Sequence, residues 1–244
     1  MFLALKTLSI ISTLALLSFL IYDTPVYFTQ VSALIITGDS NDNTLIGTPE
    51  TDTIWGYNGN DKLDGKEESD SLLPGQGNDE VRGRSGNDAI QGDAGNDILY
   101  GDEERDNIDG WTGNDKIYGN AGDDEGLLGF DGDDLIMGGT GKDRIYGQKE
   151  NDMIDGGPDD DWLNGGLGND EIKGMAGNDI LIGESGNDVM TGGLGADKFS
   201  CGPGTDTVLD FNSSEGDSKT LDCDIEKMVP PKLPELPEGT ELNN

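Results

Sequence analysis

The sequence predicts an all-β protein: a parallel solenoid of nonapeptide repeats, two repeats per coil, with two short parallel sheets. Three observations predict it. First, aspartate recurs every nine residues at Asp52, Asp61, Asp70, Asp79, Asp88, Asp97, Asp106, Asp115 and Asp124. After one inserted residue it continues at Asp134, Asp143, Asp152, Asp161, Asp170, Asp179, Asp188, Asp197 and Asp206. Second, an apolar residue follows two positions after each of them, as at Ile54, Leu99, Ile145 and Val208. Only Asp124 departs, because Gly126 stands in that place and Leu127 comes one step late. Third, glycine opens nearly every unit. A charge and an apolar residue held in phase over such a length require one repeating physical unit.

The chain divides into three parts. Residues 1–33 read as an export segment, either a signal peptide or a membrane anchor. Lys6 precedes an apolar run from Leu8 to Tyr22, and Val31-Ser32-Ala33 offers small residues for cleavage. Either form places the repeats outside the cell or on its surface. Residues 38–209 hold nineteen nine-residue units plus the extra residue near Glu125-Gly126. Residues 210–244 read as a C-terminal cap followed by a disordered tail with Pro230, Pro231, Pro234 and Pro237. Phe211 is placed to close the end of the stack.

Within a unit, glycine at positions one and four and asparagine at five suggest turn chemistry, since both residues tolerate left-handed backbone. Positions seven to nine alternate as a strand with the eighth residue inward, for example Arg144-Ile145-Tyr146. This makes a unit six residues of loop and three of strand. Two units close a coil of eighteen residues, and stacked coils form a rod roughly 45 Å long at about 4.8 Å per coil.

The composition has 50 acidic residues, 15 basic residues, no histidine and a formal charge of −35. It excludes nucleic acid and anionic surfaces as partners, which need Lys or Arg to neutralise phosphate. Imidazole-based catalysis is excluded as well. Such a chain, poor in apolar residues and high in charge, folds only if something cancels the charge. Stacking sets each sixth-position Asp beside that of the unit two further on, giving two columns of carboxylates that repel when bare. Paired carboxylates in tight glycine-rich loops that expose carbonyls suit a hard cation. Calcium suits them better than magnesium, because flexible loops supply many oxygen ligands without octahedral geometry. All eighteen aspartates are therefore candidate calcium ligands, and cation binding and folding are expected to be one event. Nineteen units paired two apart give at most 17 gaps. The best-formed runs are Asp79–Asp97–Asp115 and Asp170–Asp188–Asp206.

These units resemble the calcium-binding nonapeptides of the repeats-in-toxin (RTX, hemolysin-type) family, whose pattern is Gly-Gly-x-Gly-x-Asp-x-hydrophobe-x. The resemblance covers about 70% of the chain, 172 of 244 residues. It implies a parallel β-roll with calcium between the loops of successive coils, held by the sixth-position carboxylates and loop carbonyls. Three departures stand out. The second position is Gly in only six units and holds Tyr57, Trp111, Phe130 or Met175 in others. The fourth position is Asn41, Glu50, Glu68, Glu104, Glu150 or Asp159 in six units, where a left-handed turn is costly. Family members usually carry a C-terminal secretion signal, whereas this chain is read as having an N-terminal one.

Other features are weighed and assigned lesser roles. Asp39, Asn41, Asn43 and Glu50 mimic an EF-hand loop, but Thr44 holds its glycine position and Pro49 blocks the exiting helix. Cys201 and Cys223, the only cysteines, are expected to form a disulfide that staples the tail to the last coil. Trp55, Trp111, Trp162, Tyr100, Tyr118 and Tyr146 are expected to pack along the outer sheet faces; carbohydrate stacking is the alternative. Functionally the sequence points to a secreted or cell-surface calcium-binding rod with a structural, adhesive or ion-buffering role and no enzymatic activity. The alternative is a non-catalytic remnant or module of a secreted hydrolase or carbohydrate-active protein. The surface or matrix partner is not encoded in any motif.

Overall fold

A computed structural model describes residues 33–225. The stretch read from sequence as an export segment, up to residue 32, and the proline-rich stretch after residue 225 lie outside the described residues. Among the described residues there are twenty-three strands and no helix, arranged in one 12-stranded and one 11-stranded sheet, every pairing parallel. Apart from Ala89–Gln91 and Asp93–Ala94, which both lie in the 12-stranded sheet, strands alternate between the sheets along the chain, so each coil crosses from one to the other and back. Partners are offset by eighteen residues, as in Ile54 against Leu72 and Ile172 against Met190.

The eighth-position residues build the core. Ile54, Leu72, Leu99, Ile108, Ile145, Leu163 and Leu181 are fully buried between the sheets. A single apolar layer shared by two facing sheets is what a nine-residue half-coil can supply, one side chain per unit.

The inserted residue is resolved by pairing. Gly126 lies opposite Asn107 and Leu127 opposite Ile108, so Leu127 enters the core and is fully buried. Glu125 is the residue pushed out, where it pairs with Arg105 at 3.1 Å in solvent. A carboxylate leaves the stack at less cost than an aliphatic side chain.

The strands are longer than the three residues expected. Typical ones are Asn107–Thr112, Lys116–Ala121 and Ile180–Ser185, in which pairing continues through positions one to three of the next unit. The second position allows this by taking a left-handed conformation, which turns the chain without removing it from the ladder. Tyr57, Trp111, Phe130 and Met175 have φ of 82°, 76°, 78° and 78°. Eleven of the fifteen non-glycine residues with positive φ sit at this position.

The fourth position behaves as expected, and four acidic substitutes for glycine are held there without deforming the loop. Glu68, Glu104, Glu150 and Asp159 have φ of 65°, 76°, 68° and 84°. Left-handed backbone costs an L-residue roughly 1–2 kcal/mol. Glu104→Gly is therefore expected to stabilise the calcium-loaded protein by about 1 kcal/mol, part of the relief being offset by the entropy of a freer unfolded chain. Thermal melting in calcium measures it. A lowered midpoint would show that the Glu104 carboxylate contributes more than its backbone strain costs.

The first and fifth positions are not left-handed, which corrects the turn reading. A Cβ added at Gly92 would stand 2.7 Å from both the Asp97 Oδ2 and the Gly110 carbonyl oxygen. Glycine is needed there because a carboxylate and the next coil's backbone come too close for a side chain. Asparagine at position five serves through its side chain. Asn60, Asn78 and Asn96 each accept, at Oδ1, the backbone N–H of the fifth residue one coil later, at 2.7–2.9 Å.

Both ends of the stack are finished by segments outside the nineteen units, the first in the eighteen-residue register and the last out of it. Leu34–Thr37 pairs with the strand at Asp52–Asn58. Ser218–Lys219 and Asp224–Ile225 add one strand to each sheet at the other end. Phe211 packs against Phe199 with ring centroids 6.4 Å apart. A disulfide joins Cys201 to Cys223, with Cα atoms 5.3 Å apart, so the last repeat is bonded covalently to the cap.

Candidate metal centre

All eighteen repeat aspartates are buried, none more than 4% exposed. They form two columns. One runs Asp52, Asp70, Asp88, Asp106, Asp124, Asp143, Asp161, Asp179 and Asp197, and the other runs from Asp61 through Asp115 to Asp206, as the hydrogen bonds between coils trace. Sixteen of them, from Asp52 to Asp188, donate their own backbone N–H to the Oδ1 of the repeat aspartate one coil later, at 2.6–3.0 Å.

The second carboxylate oxygen is the unusual one. In seventeen of the eighteen, Asp61 to Asp206, Oδ2 is buried and has no hydrogen-bond partner. A buried charged oxygen without a partner is costly, and repeating it along a rod multiplies the cost. Asp52 differs, because its Oδ2 accepts from the Thr48 N–H at 2.6 Å and the Thr48 hydroxyl at 3.0 Å.

Backbone carbonyls stand beside both carboxylate oxygens: the Gly110 carbonyl beside Asp97 Oδ2 at the first position, and others beside Oδ1 at the fourth. The Asn41 carbonyl oxygen lies 2.8 Å from where a Cβ on Gly59 would sit. At Gly204 that space is bounded by the Gly186 carbonyl and, 3.0 Å away, by Asp206 Oδ1; at Gly177 it is bounded by the Asp159 carbonyl and, 2.9 Å away, by Asp179 Oδ1. A carbonyl from one coil and a carboxylate from the next thus meet above the fourth position. Among the described residues, no three acidic, cysteine or histidine side chains converge on one point. The donor set is one carboxylate per loop together with main-chain oxygens, all hard ligands of the kind calcium takes. The residues present fit the ion.

Burial, with neighbouring carboxylates adding to it, drives these groups toward the protonated form. Asp97, Asp106, Asp152 and Asp161 are pushed up to about 8. Asp70, Asp134 and Asp143 are raised to about 7. Asp79, Asp88, Asp115 and Asp124 are raised to about 6. Asp160, which is exposed, goes the other way: hydrogen bonds from Lys142 and Asn178 hold it below its ordinary value.

A family profile described as the RTX calcium-binding nonapeptide repeat matches residues 37–72, 74–108, 92–125, 128–163, 164–199 and 173–208. The chain belongs to the RTX calcium-binding nonapeptide repeat family. RTX repeats bind calcium and form a β-roll, so the stacked carboxylates lie in the part of the chain that carries the family's ion-binding character. The RTX match breaks between 125 and 128, where Glu125 is pushed out of the stack. No curated protein matches the chain.

Sequence spacing missed the residues that close the RTX roll. Asp217 Oδ1 accepts the Asp197 N–H at 3.0 Å, continuing one carboxylate column into the cap. Asp210 receives both the Gly192 and Gly193 N–H groups, at 2.9 and 2.8 Å. Asp217 lies twenty residues past Asp197, so a nine-residue register passes over it. Glu150 Oε2 accepts the Gly132 N–H at 3.0 Å, a structural use of one of the acidic residues at the fourth position.

Proposed function

We propose that this chain is an exported calcium-binding rod whose sixth-position aspartates and loop carbonyls hold a line of calcium ions between stacked coils. The ions make folding possible. The observation that carries this reading is the series of seventeen buried Oδ2 atoms without hydrogen-bond partners. A cation in each gap would cancel the like-charge repulsion and supply the missing partner at once. The disulfide supports an oxidising, extracellular setting. The rod then acts as a structural, adhesive or ion-buffering element. Its end at Asp52 is the weakest site, since Thr48 already occupies that carboxylate.

Isothermal titration with calcium tests this. Several ions per chain are expected, no more than the 17 gaps between loops. Asp97→Asn and Asp115→Asn, in the middle of one column, are expected to lower the number bound, whereas Asp52→Asn changes it little. Binding of a single ion, or none, would overturn the reading.

A further inference from the structure

The outer face of the 12-stranded sheet carries a recess that neither the core nor the carboxylate columns account for. Parallel pairing sets Tyr57 beside Gly75 and Asn58 beside Gln76, and then Gly75 beside Asp93. Gly75 lacks a side chain, so the second-position column is interrupted between Tyr57 and Asp93 and a shallow recess of about 310 Å³ opens there. Trp55 and Tyr57 form one corner of it, ring centroids 6.1 Å apart and planes at 79°, and they are 40% and 48% exposed. Asn58, Gln76 and Asp93 lie along its rim.

Nothing in the backbone requires aromatic residues here. Gly75, Gly139 and Gly157 occupy the same second position with the same positive φ and no strain, whereas Tyr57 holds it at 82°. Thr37 takes the place beside Trp55 in the neighbouring strand. Two exposed aromatic walls at right angles, bordered by two amides and a carboxylate, combine an apolar stacking surface with donors and acceptors at its edge. Lys and Arg are absent from the recess lining, which disfavours phosphates, nucleotides and anionic polymers. On the opposite sheet Lys62, Arg82 and Arg84 line a different recess, but they are engaged by Glu80 and Asp64. A second aromatic platform, Trp111 stacked on Phe130 at 5.0 Å, lies on the same face three coils from Tyr57, roughly 14 Å along the rod.

We propose that this face binds a neutral oligosaccharide laid along the rod axis, with one sugar ring in the Trp55–Tyr57 corner and its hydroxyls on Asn58, Gln76 and Asp93. The inference goes beyond calcium binding and rests on the fold rather than on which residues ligate the ion.

The test uses the full chain in calcium. Soluble hexasaccharides of glucose and of N-acetylglucosamine are titrated against tryptophan fluorescence, beside an anionic hexauronate. Two variants use residues the fold already accepts, Tyr57→Gly and Trp55→Thr, and Tyr100→Ala on the other sheet is the control. At least one neutral hexasaccharide is expected to bind, with Tyr57→Gly and Trp55→Thr each weakening it roughly tenfold or more and Tyr100→Ala leaving it unchanged. Circular dichroism of the same samples confirms that the roll is intact, so a failure to fold in calcium is read separately. Binding by neither neutral sugar, binding only by the hexauronate, or neutral binding that survives both substitutions would overturn the proposal.

Discussion

In chelator at neutral pH the chain is expected to lose its β-structure, and either millimolar calcium or acid is expected to restore it. The sign follows from the buried aspartates. In the metal-free roll Asp79, Asp97, Asp106 and Asp134 are pushed up to about 6 to 8, above the ordinary value near 4 for an unfolded aspartate. A raised folded pKa contributes stability that is fully present below about pH 4 and is lost as pH rises through about 6 to 8. Protons and calcium thus compete for the same role, and binding calcium near pH 6.5 should release protons. The carboxyls shifted downward, such as Asp160 and Asp133, act in the opposite sense, but they are few and solvent-exposed. Circular dichroism from pH 3.5 to 8, with chelator and with calcium, measures both limbs. A metal-free chain equally rich in β-structure at pH 4 and pH 8 would remove carboxylate repulsion as the barrier to folding.

Gly110→Ala is expected to have the second-largest effect, although glycine to alanine at an ordinary turn is mild. The added Cβ would stand 2.5 Å from the Asp115 Oδ2 and 2.9 Å from the Gly129 carbonyl oxygen. Neither can retreat, because Asp115 Oδ1 is held by the Asp97 N–H and Gly129 lies within the strand Gly126–Asp131. Overpacking of this kind costs about 1–3 kcal/mol in an ordinary core. Displacing a buried repeat carboxylate in the middle of the stack should push the loss to the upper end or beyond. The midpoint of the calcium-induced transition should move to higher calcium, and a change smaller than that of a surface substitution such as Lys116→Ala would refute the close-approach account.

Much of this architecture was legible in the sequence. The eighth-position residues and the sixth-position aspartates have fixed jobs, and a fixed job leaves a period. Ile145 and Asp143 could be placed inside by counting. The reasons for glycine were less legible, since a residue without a side chain does not state why it lacks one. Position four answers to backbone conformation and position one to a neighbouring carboxylate. The second position was hidden more deeply: Tyr57, Lys66, Asp93 and Trp111 share a left-handed φ and no chemistry. The cap lies beyond periodic reasoning altogether. Asp217 reaches the place a further repeat would fill by a twenty-residue path, and only its contact with Asp197 reveals it.

The hydrogen bonds between aspartates also have a direction. Each aspartate N–H is received by the carboxylate of the coil that follows, whereas the fifth-position N–H is received by the asparagine of the coil before. The aspartate N–H of a layer is therefore completed by its successor, and at the end of the stack Asp197 takes its acceptor from Asp217 of the cap, which the Cys201–Cys223 bond holds to the last repeat. The two ends of the rod are not equivalent. Duplicating a unit pair upstream lengthens it with no new parts, whereas any extension at the carboxyl end must rebuild a terminator. A lineage of such rods could vary freely in length while keeping one ending.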